Sequence, residues 1–72
     1  MNRETFLESI VEVLQTEDEI NFDTELADLD EWDSLSAMAI IAFLDKNFGV
    51  KATISDVKTF VTVEDIAKKA GV

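Results

Sequence analysis

The chain contains no cysteine and no histidine, and this absence restricts its possible folds more than any other feature. Without cysteine, neither a disulfide framework nor a thiolate metal site can support a small domain. Its 72 residues are close to the size at which a single apolar core is only marginally sufficient. We therefore expect one domain over residues 1–72, stabilised by packing of its apolar side chains.

The N-terminal pattern predicts a first helix. Apolar residues recur at helical spacing through residues 5–15, while glutamates fall on the other side. Asn2 or Thr5 can cap this helix, and Thr5 with Glu8 has the spacing of a capping box.

A second helix should begin at Asp33 or Ser34 and run to about Asn47, because Gly49 follows as a stop signal. One arc of this helix is the natural core face: Ala37, Ile40, Ile41, Leu44 and Phe48, with Phe43 at its border. The opposite arc is also mostly apolar: Leu35, Met38, Ala39, Ala42 and Lys46. Either other parts of the chain cover this arc, or it is an exposed strip that binds partner proteins.

Two shorter helical segments are predicted in the last third of the chain. ISDVKTF, residues 54–60, can form one or two turns, and its apolar anchors are Ile54, Val57 and Phe60. TVEDIAKKAG, residues 62–71, predicts a final helix that Thr62 caps, with Asp65 in capping-box spacing. No alternating pattern is long enough for a strand, so the fold class is predicted to be all-α.

The connection from Thr16 to Trp32 is long for a small domain. It is predicted to be ordered, because large apolar residues occur along it at intervals: Ile20, Phe22, Leu26, Leu29 and Trp32.

Charge is distributed unevenly along the chain. Residues 1–33, here called the acidic half, contain twelve acids and one base, whereas residues 34–72 contain four acids and five bases. A net charge of −11 on the acidic half would repel phosphates, so we expect no nucleic-acid partner. The opening residues lack the pattern of a signal peptide, and the longest apolar run, residues 37–44, is too short to cross a membrane. We expect a cytoplasmic monomer.

The chain lacks the side chains that most enzymes use for catalysis. Histidine and cysteine are the usual general bases, thiol nucleophiles and transition-metal ligands, and both are absent. Asp28 does not start an EF-hand loop, because Asp33 stands where that loop needs glycine and Ala39 where it needs glutamate. We expect no catalytic residue and no metal site.

Ser34 is a candidate attachment site. If Asp33 is the N-cap, Ser34 is the first helical residue, where unpaired N–H groups and the helix dipole favour a phosphate. By local pattern alone, an ordinary helix start is the more common reason for these two residues.

The run ELADLDEWDSLSAMAIIAFLDKNFGV, residues 25–50, resembles the central region of acyl carrier proteins. The resemblance extends over nearly the whole chain, and D-S-L at residues 33–35 opens the second helix. It implies a small four-helix bundle with a long ordered loop between helices 1 and 2 and a short helix 3. It also implies that a phosphopantetheinyl transferase (carrier-protein synthase) transfers 4'-phosphopantetheine from coenzyme A to Ser34. An acyl group then travels on this arm as a thioester between biosynthetic enzymes.

The chain departs from typical fatty-acid carriers along the second helix. Where those carriers have further carboxylates, this sequence has Ser36, Ala39 and Lys46, and residues 30–32 replace the glycine that commonly precedes D-S-L. A specialised carrier that serves a dedicated ligase, acyltransferase or synthase is therefore expected, with an acyl, hydroxyacyl or aminoacyl cargo. The predicted partner-binding residues are Asp33, Leu35, Met38, Ala39, Ala42 and Lys46. The alternative is an unmodified acidic helical module that binds basic proteins through the acidic half.

Overall fold

The structure is a computed structural model that describes residues 1–17, 19–29 and 32–72. Its described residues form four α-helices and no β-strand: α1 (Arg3–Leu14), α2 (Ser34–Phe48), α3 (Ile54–Lys58) and α4 (Val63–Ala70). This confirms the predicted all-α bundle with a long loop before α2 and a short third helix. Asp18, Asp30 and Glu31 of the acidic half lie outside the described residues, so most of the segment 30–32 that precedes D-S-L is not described.

The helix ends follow the capping signals of the sequence. Asn2, rather than Thr5, caps α1, because its side-chain oxygen accepts a hydrogen bond from the Thr5 backbone N–H at 2.7 Å. The capping-box spacing of Thr5 and Glu8 therefore lies inside the helix. Gly49 ends α2 in the left-handed conformation, with φ at 67°, where a side chain would be strained.

The core lies between α1, α2 and α4. Its fully buried side chains are Phe6, Ile10, Leu26, Ile40, Leu44, Val57, Val63 and Ile66. Phe6 anchors an aromatic cluster, with ring centroids 5.8 Å from both Phe43 and Phe48. Rings at this spacing and tilt attract one another beyond their burial, so the cluster joins the first helix to the second.

The predicted core face of α2 is partly wrong. Ile40 and Leu44 are buried as expected, but Phe43 is only 8% exposed, and Ala37 and Ile41 are half-buried. The helix is rotated toward Phe43 because that ring packs into the aromatic cluster. The rotation also buries the side chain of Ser36.

The loop between α1 and α2 is ordered in its described parts, as predicted. Ile20, Leu26 and Leu29 are buried, and a single 3-10 turn spans Leu26–Asp28. This turn had no clear signal in the sequence. Phe22 and Trp32 are half-buried against the core.

Backbone hydrogen bonds join this loop to the start of α4. The Leu26 N–H donates to the Val61 carbonyl at 2.8 Å, and the Val63 N–H donates to the Thr24 carbonyl at 3.1 Å. The Glu64 N–H donates to the carbonyl of Phe22 at 3.0 Å. The bonds from Val63 and Glu64 satisfy first-turn N–H groups of α4 that have no partner inside the helix.

Arg3 joins the first helix to the last. Its guanidinium lies 4.0 Å above the centroid of the Phe22 ring and pairs with the carboxylate of Glu64. It also donates to the carbonyl of Val72 at 3.0 Å. The single base of the acidic half therefore holds three parts of the chain together.

Candidate functional site

Ser34 is the first residue of α2, and its side chain is exposed. Asp33 precedes it as the N-cap in an extended conformation, and its Oδ1 accepts a hydrogen bond from the Ser36 backbone N–H at 2.9 Å. The Asp33 carbonyl accepts the next bond, from the Ala37 N–H at 2.9 Å. The serine hydroxyl is thus presented to solvent by a well-capped helix start, on the positive end of the helix dipole.

Ser36, two residues further on, has the opposite environment. Its side chain is only 9% exposed. The two serines are therefore distinguishable by access, although they are close in sequence and have the same chemistry. An enzyme that approaches the start of α2 meets the Ser34 hydroxyl first.

An open pocket of about 150 Å³ lies beside Ser34. Ala37 of α2, together with Ile54 and Val57 of α3, contributes apolar surface to it. Asp33 and Lys58 contribute the charged groups, and Trp32 comes from the end of the loop. The pocket therefore combines an apolar wall with one acid and one base next to the exposed hydroxyl.

The second arc of α2 is largely open to solvent. Leu35 is 77% exposed and Met38 is 60% exposed, while Ala42 and Lys46 are also exposed. Ala39 is half-buried. The described parts of the loop and α3 do not cover this arc, which leaves two large apolar side chains in water immediately after Ser34.

Lys58 has no ion pair within the described part of the chain, unlike three of the other basic residues. Arg3 pairs with Glu64, Lys51 pairs with Asp45 at 2.7 Å, and Lys69 approaches Asp56 at 3.8 Å. Of the described residues that line the pocket, Lys58 is the one base, and its side chain is exposed.

Two carboxylates at other helix starts have a lowered pKa. A hydrogen bond from the Thr53 backbone N–H lowers the pKa of Asp56, with a smaller contribution from the Lys69 charge. Hydrogen bonds from the N–H groups of Val61 and Thr62 lower the pKa of Asp65. In their ionised form both carboxylates accept these capping hydrogen bonds and stabilise the starts of α3 and α4.

One comparison with known proteins identifies a family for the chain. The family model for the phosphopantetheine attachment site matches residues 4–69. The chain belongs to this family. Its members carry 4'-phosphopantetheine as a covalent prosthetic group, and such domains are typically non-catalytic carriers. Searches of curated proteins and of solved structures gave no match.

The residues around Ser34 fit such a group. A phosphodiester needs an accessible hydroxyl, and Ser34 provides one at a helix start. The pantetheine arm is partly apolar, and the adjoining pocket offers Ala37, Ile54 and Val57. No group of histidine, cysteine or acidic residues in the described ranges could hold a metal ion. No helix in these ranges is long and apolar enough to span a membrane.

The sequence singled out Asp33 and Ser34 and left an exposed strip on α2 as one of two alternatives, but the prediction included neither Lys58 nor the pocket. Ile54 was expected to anchor α3 to the core, yet it is 41% exposed and lies at the pocket wall. The sequence pattern assigns Lys58 no role beyond its place in a short helical segment. A signal was available, since Lys58 is four residues from Ile54 and therefore on the same side of α3.

Proposed function

We propose that this protein is a carrier that receives 4'-phosphopantetheine on Ser34 and delivers a bound acyl or related group between biosynthetic enzymes. The main support for this proposal is the position of the hydroxyl: Ser34 is exposed at the first position of α2 beside a pocket, while Ser36 is buried. When the group is bound, its terminal thiol supplies the sulfur for a thioester, which a chain without cysteine cannot supply itself.

Loading the carrier is a phosphoryl-transfer reaction. The Ser34 oxygen attacks the phosphorus that bears the pantetheine in coenzyme A, and adenosine 3',5'-bisphosphate leaves. The proton of the hydroxyl goes to a base of the phosphopantetheinyl transferase or to solvent. The chain itself contributes an accessible nucleophile and a helix start that favours the resulting negative charge. With no histidine or cysteine in the sequence, we propose that it is a substrate in this reaction and catalyses nothing itself.

Intact-mass spectrometry tests the proposal directly. The apo protein is incubated with coenzyme A and a promiscuous phosphopantetheinyl transferase, and we expect a gain of one phosphopantetheinyl group. Ser34→Ala should gain nothing. Ser36→Ala is the matched control and should be modified like the unaltered protein, because the backbone N–H that bonds to Asp33 remains. Peptide mapping that finds the group on Ser36, or modification of Ser34→Ala, would contradict the assignment.

The exposed strip of α2 is the proposed contact surface for partner enzymes. It consists of Leu35, Met38, Ala39, Ala42 and Lys46, and Asp33 adjoins it at the helix start. Leu35 and Met38 together expose enough apolar surface to contribute to binding when a partner groove covers them. The proposed partners are the transferase and a dedicated acyl-activating ligase, acyltransferase or synthase.

A further inference from the structure

We infer that Lys58 binds the phosphate of the prosthetic group and holds the first part of the arm against the wall formed by α2 and α3. This rests on the proposed attachment to Ser34 and goes beyond it, because it assigns a positioning residue on a different helix. The inference rests on one observation: Lys58, at the end of α3, and Ser34 line the same small pocket.

Few basic side chains of the described residues are available to pair with a phosphate on Ser34. Among the described basic residues, Arg3, Lys51 and Lys69 already pair with carboxylates. Lys46 belongs to the last turn of α2, twelve residues after Ser34, which is about 18 Å along the helix axis. Lys58 is exposed, has no ion pair in the described ranges and lines the pocket itself. It is the base best placed to meet a phosphate at this position.

The charge balance of the pocket changes when Ser34 is modified. Before modification, Asp33 and Lys58 face the same space, and the Asp33 carboxylate also accepts the capping bond from the Ser36 N–H. A phosphodiester on Ser34 adds a second negative charge at the edge of an acidic half that already has a net charge of −11. An ammonium group that lines the same pocket as both anions offsets this repulsion, whereas a neutral residue at position 58 would not.

The apolar wall of the pocket lies next to Lys58. Lys58 lies one turn after Ile54 on α3, and Val57 is adjacent to it. An arm whose phosphate is paired with Lys58 would have Ile54, Val57 and Ala37 as the apolar side chains available to it in this pocket. The exposure of Ile54, which lies outside the buried core, leaves apolar surface at this point of the pocket.

Phosphorus NMR of the modified protein tests this inference without any enzyme activity. Intact mass first establishes that each variant carries the group. We then expect the phosphodiester resonance of the folded protein to differ from that of the same protein unfolded in urea. Lys58→Gln should remove most of that difference, and Lys58→Arg, which keeps a charge that can bind phosphate, should retain it.

Lys68→Gln is the matched control, because Lys68 is an exposed lysine of α4 that does not line the pocket. It should leave the phosphorus resonance unchanged. Circular dichroism confirms that all variants are folded. An unchanged resonance in Lys58→Gln, or an equal change in Lys68→Gln, would refute the pairing while leaving the proposed attachment intact. Failure of the unaltered protein to gain the group would refute both proposals together.

Discussion

Met38→Glu should weaken docking of partner enzymes while leaving the fold nearly unchanged. Met38 lies one turn after Ser34 on the exposed strip, and it is 60% exposed in the isolated protein. A partner that covers it removes this fraction from water, so the contribution to binding is set by what is still exposed. The same substitution at a buried position would instead unfold the domain.

The expected size follows from that exposure. Full burial of a methionine side chain is worth about 1.5–3 kcal/mol, so burial of the remaining three-fifths is worth about 0.9–1.8 kcal/mol. This corresponds to a loss of roughly 5- to 20-fold in kcat/KM or affinity when the apolar contact is removed. A glutamate also has to be desolvated in the same contact, so the loss should lie at the upper end of this range or beyond it.

The assay is steady-state modification of the apo protein by a phosphopantetheinyl transferase, with circular dichroism and thermal unfolding of the same samples. Val61→Glu is the matched control, because Val61 is also 60% exposed but lies between α3 and α4, outside the strip. It should change kcat/KM little. Leu44→Ala serves as the opposite reference, since a fully buried leucine should cost about 2–5 kcal/mol of unfolding free energy.

Three results would contradict this reasoning. If Met38→Glu unfolds the protein, then the strip is part of the core and the assignment of helix faces is wrong. If Met38→Glu and Val61→Glu weaken the transferase equally, then the added negative charge explains the loss and the apolar contact does not. If neither variant changes kcat/KM, the transferase does not contact this part of α2.

Four further predictions concern specificity and stability. Ala39→Glu combined with Lys46→Glu should improve use by a generic fatty-acid enzyme in paired kinetics, and no gain would place specificity elsewhere. The melting temperature of the apo protein should rise with moderate NaCl, and further with divalent cations, because screening reduces repulsion in the acidic half; a flat series would contradict this. Asp56 and Asp65 have a lowered pKa in the folded protein, so each contributes stability that is present above its unfolded pKa and is lost as the pH falls through its folded pKa. Urea unfolding should therefore show declining stability below about pH 4, and the decline should be smaller in Asp65→Asn. Arg3→Gln removes a cation–π contact and an ion pair, so it should lower the unfolding free energy by about 1–2 kcal/mol and the melting temperature by several degrees. An unchanged melting curve would show that these two contacts contribute nothing to stability.

Local patterns in the sequence predicted the helices because each has its own periodicity and end signals. Asp33 and Gly49 delimit α2 by their own chemistry, and Thr62 precedes α4 as expected. The orientation of α2 was harder to predict. Phe43 looks marginal on a helical wheel, and it is buried only because Phe6, thirty-seven residues earlier, packs against it at 5.8 Å.

In the candidate site, too, some features could be predicted from local sequence and others could not. Asp33 and Ser34 are adjacent in sequence, so their roles at the helix start could be predicted from that short stretch. The pocket could not, because it exists only when α3 packs against the start of α2 and brings Lys58 to a serine twenty-four residues earlier. Contacts between distant residues depend on the whole packing arrangement, which a single sequence does not specify locally.

The backbone bonds between the loop and the start of α4 have a consequence for hydrogen exchange. Residues 22–26 supply carbonyls and an N–H group to residues 61–64, so the loop cannot detach without leaving the first turn of α4 unsatisfied. Amide protons of Leu26, Val63 and Glu64 should therefore exchange with one common opening free energy, and with protection factors well above those of an ordinary surface loop. Residues 22–26 of the loop would then open only together with the last helix, as one cooperative unit.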